Sequence, residues 1–209
     1  MLDGIMRRQI DGPLNRAGVW LAAKGASANG MTLAGFGLGV LAAGLIALGL
    51  PGWVALLPLL AGRVADGLDG AVARATQKTD FGGYLDIACD FLVYGAVPLA
   101  FVIRDPAANG VAGAFLLATF YVNGTTFLGF AILAAKRGME SRAQGEKSLY
   151  YTAGLLEGTE TILFFVLLCL WPAWFAPMAW VFGALCCVTA FSRVLLARRV
   201  FSPSQPPGI

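Results

Sequence analysis

MTLAGFGLGVLAAGLIALGL, residues 31–50, carries no charged side chain, and about twenty apolar residues wound as an α-helix span the hydrocarbon core of a bilayer. The stretch reads as a transmembrane helix whose Gly35, Gly37 and Gly39 would let a neighbouring helix approach closely. Pro51-Gly52 then turns the chain. Working outward, further spans are expected at about 53–74, 83–103, 111–135, 150–170 and 174–196, six in all. Upstream, residues 1–25 alternate Leu2, Ile5, Met6, Ile10 and Leu14 with Arg7, Arg8, Asp11 and Arg16. That pattern suits an amphipathic helix lying in the headgroup region, broken or bent near Pro13.

Composition agrees. Of 209 residues 58% are hydrophobic and 13% charged, whereas a soluble domain has roughly a quarter charged. The expected fold is therefore an all-α integral membrane protein, one domain over residues 1–209, with six transmembrane helices behind an N-terminal interfacial helix. A net charge of +3 is too small to suggest nucleic acid, and the absence of His excludes imidazole chemistry. The four cysteines fall in apolar runs without CxxC spacing and read as small hydrophobes. Nearly all Lys and Arg, from Arg7 to Arg199, fall on one side if the N-terminus is cytoplasmic, with Arg104 outside. The positive-inside rule places both termini in the cytoplasm of a multi-pass inner-membrane protein.

The remaining charge stands where lipid would not tolerate it. Asp66 and Asp69 lie three apart in the second span, Asp86 and Asp90 four apart in the third. At about 100° per residue, Arg63, Asp66, Asp69, Gly70, Ala73 and Arg74 share an arc of roughly 140°, and Asp86 and Asp90 lie about 40° apart. A hairpin of about nine residues joins the two helices, so the acidic stripes face each other as antiparallel neighbours. Four gathered carboxylates must take up protons or bind cations. All-oxygen ligation selects hard Mg²⁺ or Mn²⁺, and four carboxylates suffice for two ions. Such a pair implies phosphoryl transfer. Gly70 and Ala73 leave room for a ligand, and Arg74 could pair a phosphate or carboxylate. The alternative is a set of interhelical salt bridges to Arg63 and Arg74, although two arginines cannot neutralise four aspartates.

The run Asp66-Gly67-Leu68-Asp69-Gly70-Ala71-Val72-Ala73-Arg74, followed by Gly82, Asp86 and Asp90, resembles the signature of the class I CDP-alcohol phosphotransferase (CDP-alcohol phosphatidyltransferase) family in every fixed position. The resemblance implies six spans, a cytoplasm-facing site and a homodimer. It implies that Asp66, Asp69 and Asp86 bind two metals, and that Asp90 helps bind one and serves as general base. It further implies that Asp69, Gly70, Ala73 and Arg74 contact the CDP donor, with Asp80 in the connecting hairpin nearby. Ala28-Asn29-Gly30-Met31-Thr32 matches a family element ahead of the first span, with Ala28 where the family has proline. Asn29 and Thr32 thereby become donor contacts. The implied reaction is attack of an alcohol hydroxyl on the phosphoryl group of a CDP-linked lipid, CDP-diacylglycerol, with release of CMP.

The acceptor must be read elsewhere. Glu157 and Glu160 interrupt the apolar fifth span at a depth similar to Asp66 and Asp69 and are expected to bind acceptor hydroxyls or an amine, or else to pair with Arg63 or Arg193. Lys147, just before that span, is a candidate for an acceptor phosphate. Glycerol 3-phosphate is the first choice, with inositol, inositol phosphate or serine as alternatives. A cation transporter or channel would also place carboxylates in a bundle. Against it, the outward halves of the second and third spans carry no charge.

Overall fold

The computed structural model describes residues 3–139, 156 and 158–202. Among them there are seven α-helices and no strand. These are α1 (Asp3–Ala23), α2 (Ala28–Ala47), α3 (Gly52–Ala75), α4 (Asp80–Arg104), α5 (Pro106–Lys136), α6 (Gly158–Leu170) and α7 (Phe175–Phe201), with a 3₁₀ turn at Pro172–Trp174 before α7.

Local chemistry sets the boundaries. Ser27 caps α2 by accepting from the Gly30 N–H at 3.1 Å, Thr79 caps α4 from Gly82, and Asp105 caps α5 from Ala108 ahead of Pro106. These caps start α2 and α4 one turn earlier than the hydropathy does. Two expectations change as a result. Asn29 and Thr32 lie within the first turns of α2, and Asp80 is the first residue of α4 and not part of a hairpin loop. The α1 helix also continues through Pro13 without a break.

Among the described residues four helices are long and apolar enough to cross a membrane: α2, α4, α5, and α7 together with its preceding turn. At 31 residues, α5 is about 46 Å long, well beyond the hydrocarbon thickness. The 24-residue α3 has the length, but Arg63, Asp66, Asp69 and Arg74 interrupt its apolar character. The 13 residues of α6 extend only about 20 Å, and residues 150–155 of the expected fifth span lie outside the described residues. Large side chains such as Leu57, Val111, Tyr121 and Phe191 point outward. In water these would be an aggregation surface, whereas in lipid they are the natural exterior.

Packing groups α2 with α3 and α4, and α5 with α7, while α4 also meets α5 and α1 lies along α3. The α2–α3 crossing is reciprocal: a Cβ on Gly35 would stand 2.9 Å from the Gly62 carbonyl, and one on Gly62 2.9 Å from that of Gly35. Gly39 is buried against Val93, but Gly37 faces open space and takes no part. Aromatic stacking ties α7 to its neighbours, with Phe101 of α4 on Phe175 at 4.9 Å, Phe115 of α5 on Trp180 at 4.5 Å and Phe164 of α6 on Phe182 at 4.0 Å.

Polar side chains tie α5 to α7. The buried Arg193 donates to the carbonyl and side-chain oxygens of Asn123 and to Thr126. Asn123 and Thr126 thus make the interhelical bonds expected of such residues, whereas Thr125 bonds back to Tyr121 of its own helix. Arg137 donates to the Val200 and Phe201 carbonyls at 2.9 and 2.6 Å, fixing the ends of α5 and α7 together. At the opposite end of the bundle, Arg104 donates to the Leu50 carbonyl. Cys89, Cys169 and Cys186 are buried as small hydrophobes would be, but Cys187 faces outward.

Candidate active site

The α3–α4 hairpin brings the acidic stripes together. Asp66, Asp69 and Asp86 each offer an oxygen, and the three lie within 4.8 Å of one another. Asp69 is the most enclosed, at 7% exposure. Its Oδ2 accepts from the Thr32 hydroxyl at 2.6 Å, and that hydroxyl also stands 3.1 Å from the Ala28 carbonyl. Thr32 can do this because the Gly35–Gly62 crossing, one turn further along α2, lets the two helices approach closely. Asn29 rests against the start of α4, where a Cβ on Gly82 would meet its Oδ1 at 3.2 Å.

The fourth aspartate is placed differently. Asp90 Oδ1 accepts from Arg63 Nη1 at 2.5 Å, and the same nitrogen lies 3.7 Å from Asp66 Oδ2. Arg63 is about one helical turn before Asp66, and Asp90 about one turn beyond Asp86. The site therefore has two layers: three clustered carboxylates toward the hairpin, and an arginine–aspartate pair about 5 Å deeper by helical rise. The Arg63 side chain is only 10% exposed, against 29% for Asp66 and 26% for Asp90. Its Nε has no hydrogen-bond partner among the described residues. The salt-bridge alternative thus holds for Arg63, while three carboxylates remain grouped.

Arg74 makes no salt bridge to the aspartates among the described residues. It is exposed at the end of α3, where Nη2 and Nε donate to Asn15 Oδ1 of α1 at 2.8 and 3.1 Å. Gly70 and Ala73 are half-buried on the same helix, and Asp80 is exposed. Glu160 is half-buried in the first turn of α6; Lys147 and Glu157 lie outside the described residues. A Cβ on Gly158 would stand 3.6 Å from Tyr94 Oη, so the start of α6 lies one turn beyond Asp90 on α4.

Asn15 was not legible as a partner of the site. On an interfacial helix it reads as one more water-facing residue. Its signal lies in the spacing of Asp11, Leu14, Asn15 and Gly18, which puts all four on one side of a helix.

The model of the CDP-alcohol phosphatidyltransferase family matches residues 26–197, most of the chain. The chain belongs to the CDP-alcohol phosphatidyltransferase family. It is therefore a transferase of substituted phosphate groups, a membrane enzyme of phospholipid biosynthesis. It is 49% identical over 196 residues to the inner membrane protein YnjF of Escherichia coli K12, covering 93% of this chain and 94% of that one. It is 39% identical over 88 residues to archaetidylinositol phosphate synthase of Pyrococcus horikoshii, covering 42% and 46%. Its fold is similar to that of Mycobacterium tuberculosis phosphatidylinositol phosphate synthase (PgsA1) with CDP-DAG bound, at a TM-score of 0.64 and 20% identity, covering 94% and 98%.

The carboxylate group of this CDP-alcohol phosphatidyltransferase fits a hard divalent cation. Its donors are all oxygen and lie within 4.8 Å of one another, a set that suits Mg²⁺ or Mn²⁺ over a soft metal. The Thr32 hydroxyl fixes Asp69, the most buried of the three, as an outer partner would orient a metal-binding side chain. Replacing Thr32 by valine should weaken Mn²⁺ binding roughly tenfold, with Thr32→Ser close to the parent. Titration of the purified protein followed by electron paramagnetic resonance measures both.

Proposed function

We propose that the enzyme transfers a phosphatidyl group from CDP-diacylglycerol to the hydroxyl of a small polar alcohol and releases CMP, at the cytoplasmic face of the inner membrane. The three-carboxylate cluster within the family signature is the observation that carries this reading. The CDP-DAG-bound neighbour of the same fold supports the donor. Arg137 beside the end of α7, with Arg104 at the opposite end, is what a basic cytoplasmic face and cytoplasmic termini require. A homodimer is proposed from the family resemblance.

Asp66, Asp69 and Asp86 would hold the cations, with Asp90 as a further ligand of one. Two divalent ions, Mg²⁺ or Mn²⁺, would there neutralise the pyrophosphate charge of the donor. Asn29, Thr32, Asp69, Gly70, Ala73, Arg74 and Asp80 form the donor surface. The small residues give the nucleotide access to the helix backbone and Arg74 faces its phosphates. The acceptor oxygen attacks the phosphorus that bears the diacylglycerol, and the bond from that phosphorus to the CMP oxygen breaks. The hydroxyl proton passes to Asp90 Oδ2, since Arg63 engages Oδ1. Asp90→Asn should then lower kcat by at least about a hundredfold while Mn²⁺ and CDP still bind. Near-normal turnover of that variant would refute the role.

Glycerol 3-phosphate is the acceptor we favour, with Lys147 receiving its phosphate and Glu157 and Glu160 its hydroxyls. The approach of α6 to α4 one turn from Asp90 supports a shared cavity. Inositol phosphate is the second reading, favoured by two relatives named as synthases of inositol phosphate lipids. The test is CMP release from CDP-diacylglycerol with Mg²⁺ or Mn²⁺ across glycerol 3-phosphate, inositol phosphate, inositol and serine, with lipid products weighed by mass spectrometry. Glycerol 3-phosphate should give the highest kcat/KM. No release with any alcohol would overturn the transfer reaction and favour cation transport.

A further inference from the structure

The structure assigns Asn15 of the interfacial helix as the positioning residue for Arg74. A long arginine at an exposed helix end samples many rotamers, and a group that must meet a phosphate reacts best when already held. Here one edge of the guanidinium is fixed: Nε and Nη2 both donate to the single oxygen Oδ1 of Asn15. Of the five guanidinium N–H groups, this leaves both on Nη1 and one on Nη2. Nη1 lies over Gly70, where an added Cβ would meet it at 3.4 Å. That edge, without a hydrogen-bond partner among the described residues, projects over the small residue on which the donor is expected to rest.

Asn15 can hold Arg74 only if α1 is itself fixed, and the packing of α1 supplies that. A Cβ on Gly18 would collide with Ala71, at 2.6 Å from its Cβ and 2.7 Å from its carbonyl carbon. The Leu14 side chain covers Gly67, where an added Cβ would stand 3.3 Å from Cδ1. Leu14, Asn15 and Gly18 therefore form one face seated on α3. Trp20 stays exposed on the opposite side and Val19 on the flank, free for the membrane surface. An amide is suited to this task. It accepts from the arginine without neutralising it, so the cation keeps its charge for the donor, whereas an aspartate there would compete with phosphate.

This inference rests on the proposal that Arg74 contacts the CDP-linked donor, and the experiment separates the two. Asn15→Ala, Arg74→Ala and the double variant are compared with the parent enzyme by steady-state CMP release at varied CDP-diacylglycerol and varied acceptor. Expected for Asn15→Ala is a five- to tenfold rise in donor KM, with kcat, acceptor KM and Tm unchanged. Arg74→Ala should raise donor KM more, and the double variant should be no worse than Arg74→Ala alone, because the asparagine acts only through the arginine. A donor KM that rises in Arg74→Ala but not in Asn15→Ala would overturn the positioning role and leave the donor contact standing. The same holds if the two effects multiply, or if Asn15→Ala changes kcat, Tm and both KM values together. If Arg74→Ala leaves donor KM unchanged, the donor contact fails, and the positioning role with it.

Discussion

Asp69→Ala should reduce CMP release by at least about a thousandfold, equivalent to some 4 kcal/mol of transition-state stabilisation, without unfolding the protein. The fold should survive because nothing in the packing depends on that carboxylate. Its partner, the Thr32 hydroxyl, retains the Ala28 carbonyl at 3.1 Å, and alanine is the best helix former. Burying one fewer carboxylate beside Asp66 and Asp86 also removes a desolvation cost and a repulsion. The thermal midpoint in detergent should therefore equal or exceed that of the parent while activity is lost. Mn²⁺ titration would show the cause, since two oxygens remain where three stood within 4.8 Å. A large fall in the midpoint would show that Asp69 is structural instead.

Arg63→Met should have the opposite signature. Methionine matches the aliphatic stem of the arginine, but Asp90 loses its 2.5 Å partner and Asp66 the guanidinium 3.7 Å away. Removing one member of a buried pair is far more damaging than replacing both, at about 3–5 kcal/mol for full burial. Because Asp90 is a quarter exposed, about 2–4 kcal/mol is the expected loss, or a midpoint lowered by roughly 5–15 °C in a chain of this length. Adding Asp90→Asn to Arg63→Met should recover much of that stability. Arg63→Lys, with one point charge in place of a fork, should fall between. Thermal unfolding followed by intrinsic fluorescence measures the series.

Much of this arrangement was legible in the sequence because it is periodic. A charge-free run gives a helix, and spacings of three and four put Asp66 with Asp69 and Asp86 with Asp90. What periodicity cannot supply is depth. It assigns a residue to a face, not to a layer, so it could not show that Asp90 pairs with Arg63 below the other three carboxylates. The same limit explains the glycines. Gly35 and Gly39 are four apart and share a face, whereas Gly37 stands about 200° from Gly35 and cannot join it. Hydropathy missed the starts of α2 and α4 because Ser27 and Thr79 are polar, yet polarity is what lets them cap a helix. Asn15 was obscured because its partner lies 59 positions away, and a surface asparagine carries no mark of what it touches.

The outward side of the hairpin has a bioenergetic consequence. Beyond the Arg63–Asp90 pair, on the side away from the hairpin, the bundle closes over Ala55, Leu59, Val93, Val97 and Phe101, all buried and uncharged. An inner membrane stores energy as a voltage and a proton gradient, and an acidic pocket set among membrane-crossing helices would be half of a leak. A dry aliphatic and aromatic stopper leaves protons and ions in the pocket no stepping stone to the far side. A lipid-synthesising enzyme so sealed can handle charged nucleotides inside an energised membrane without discharging it.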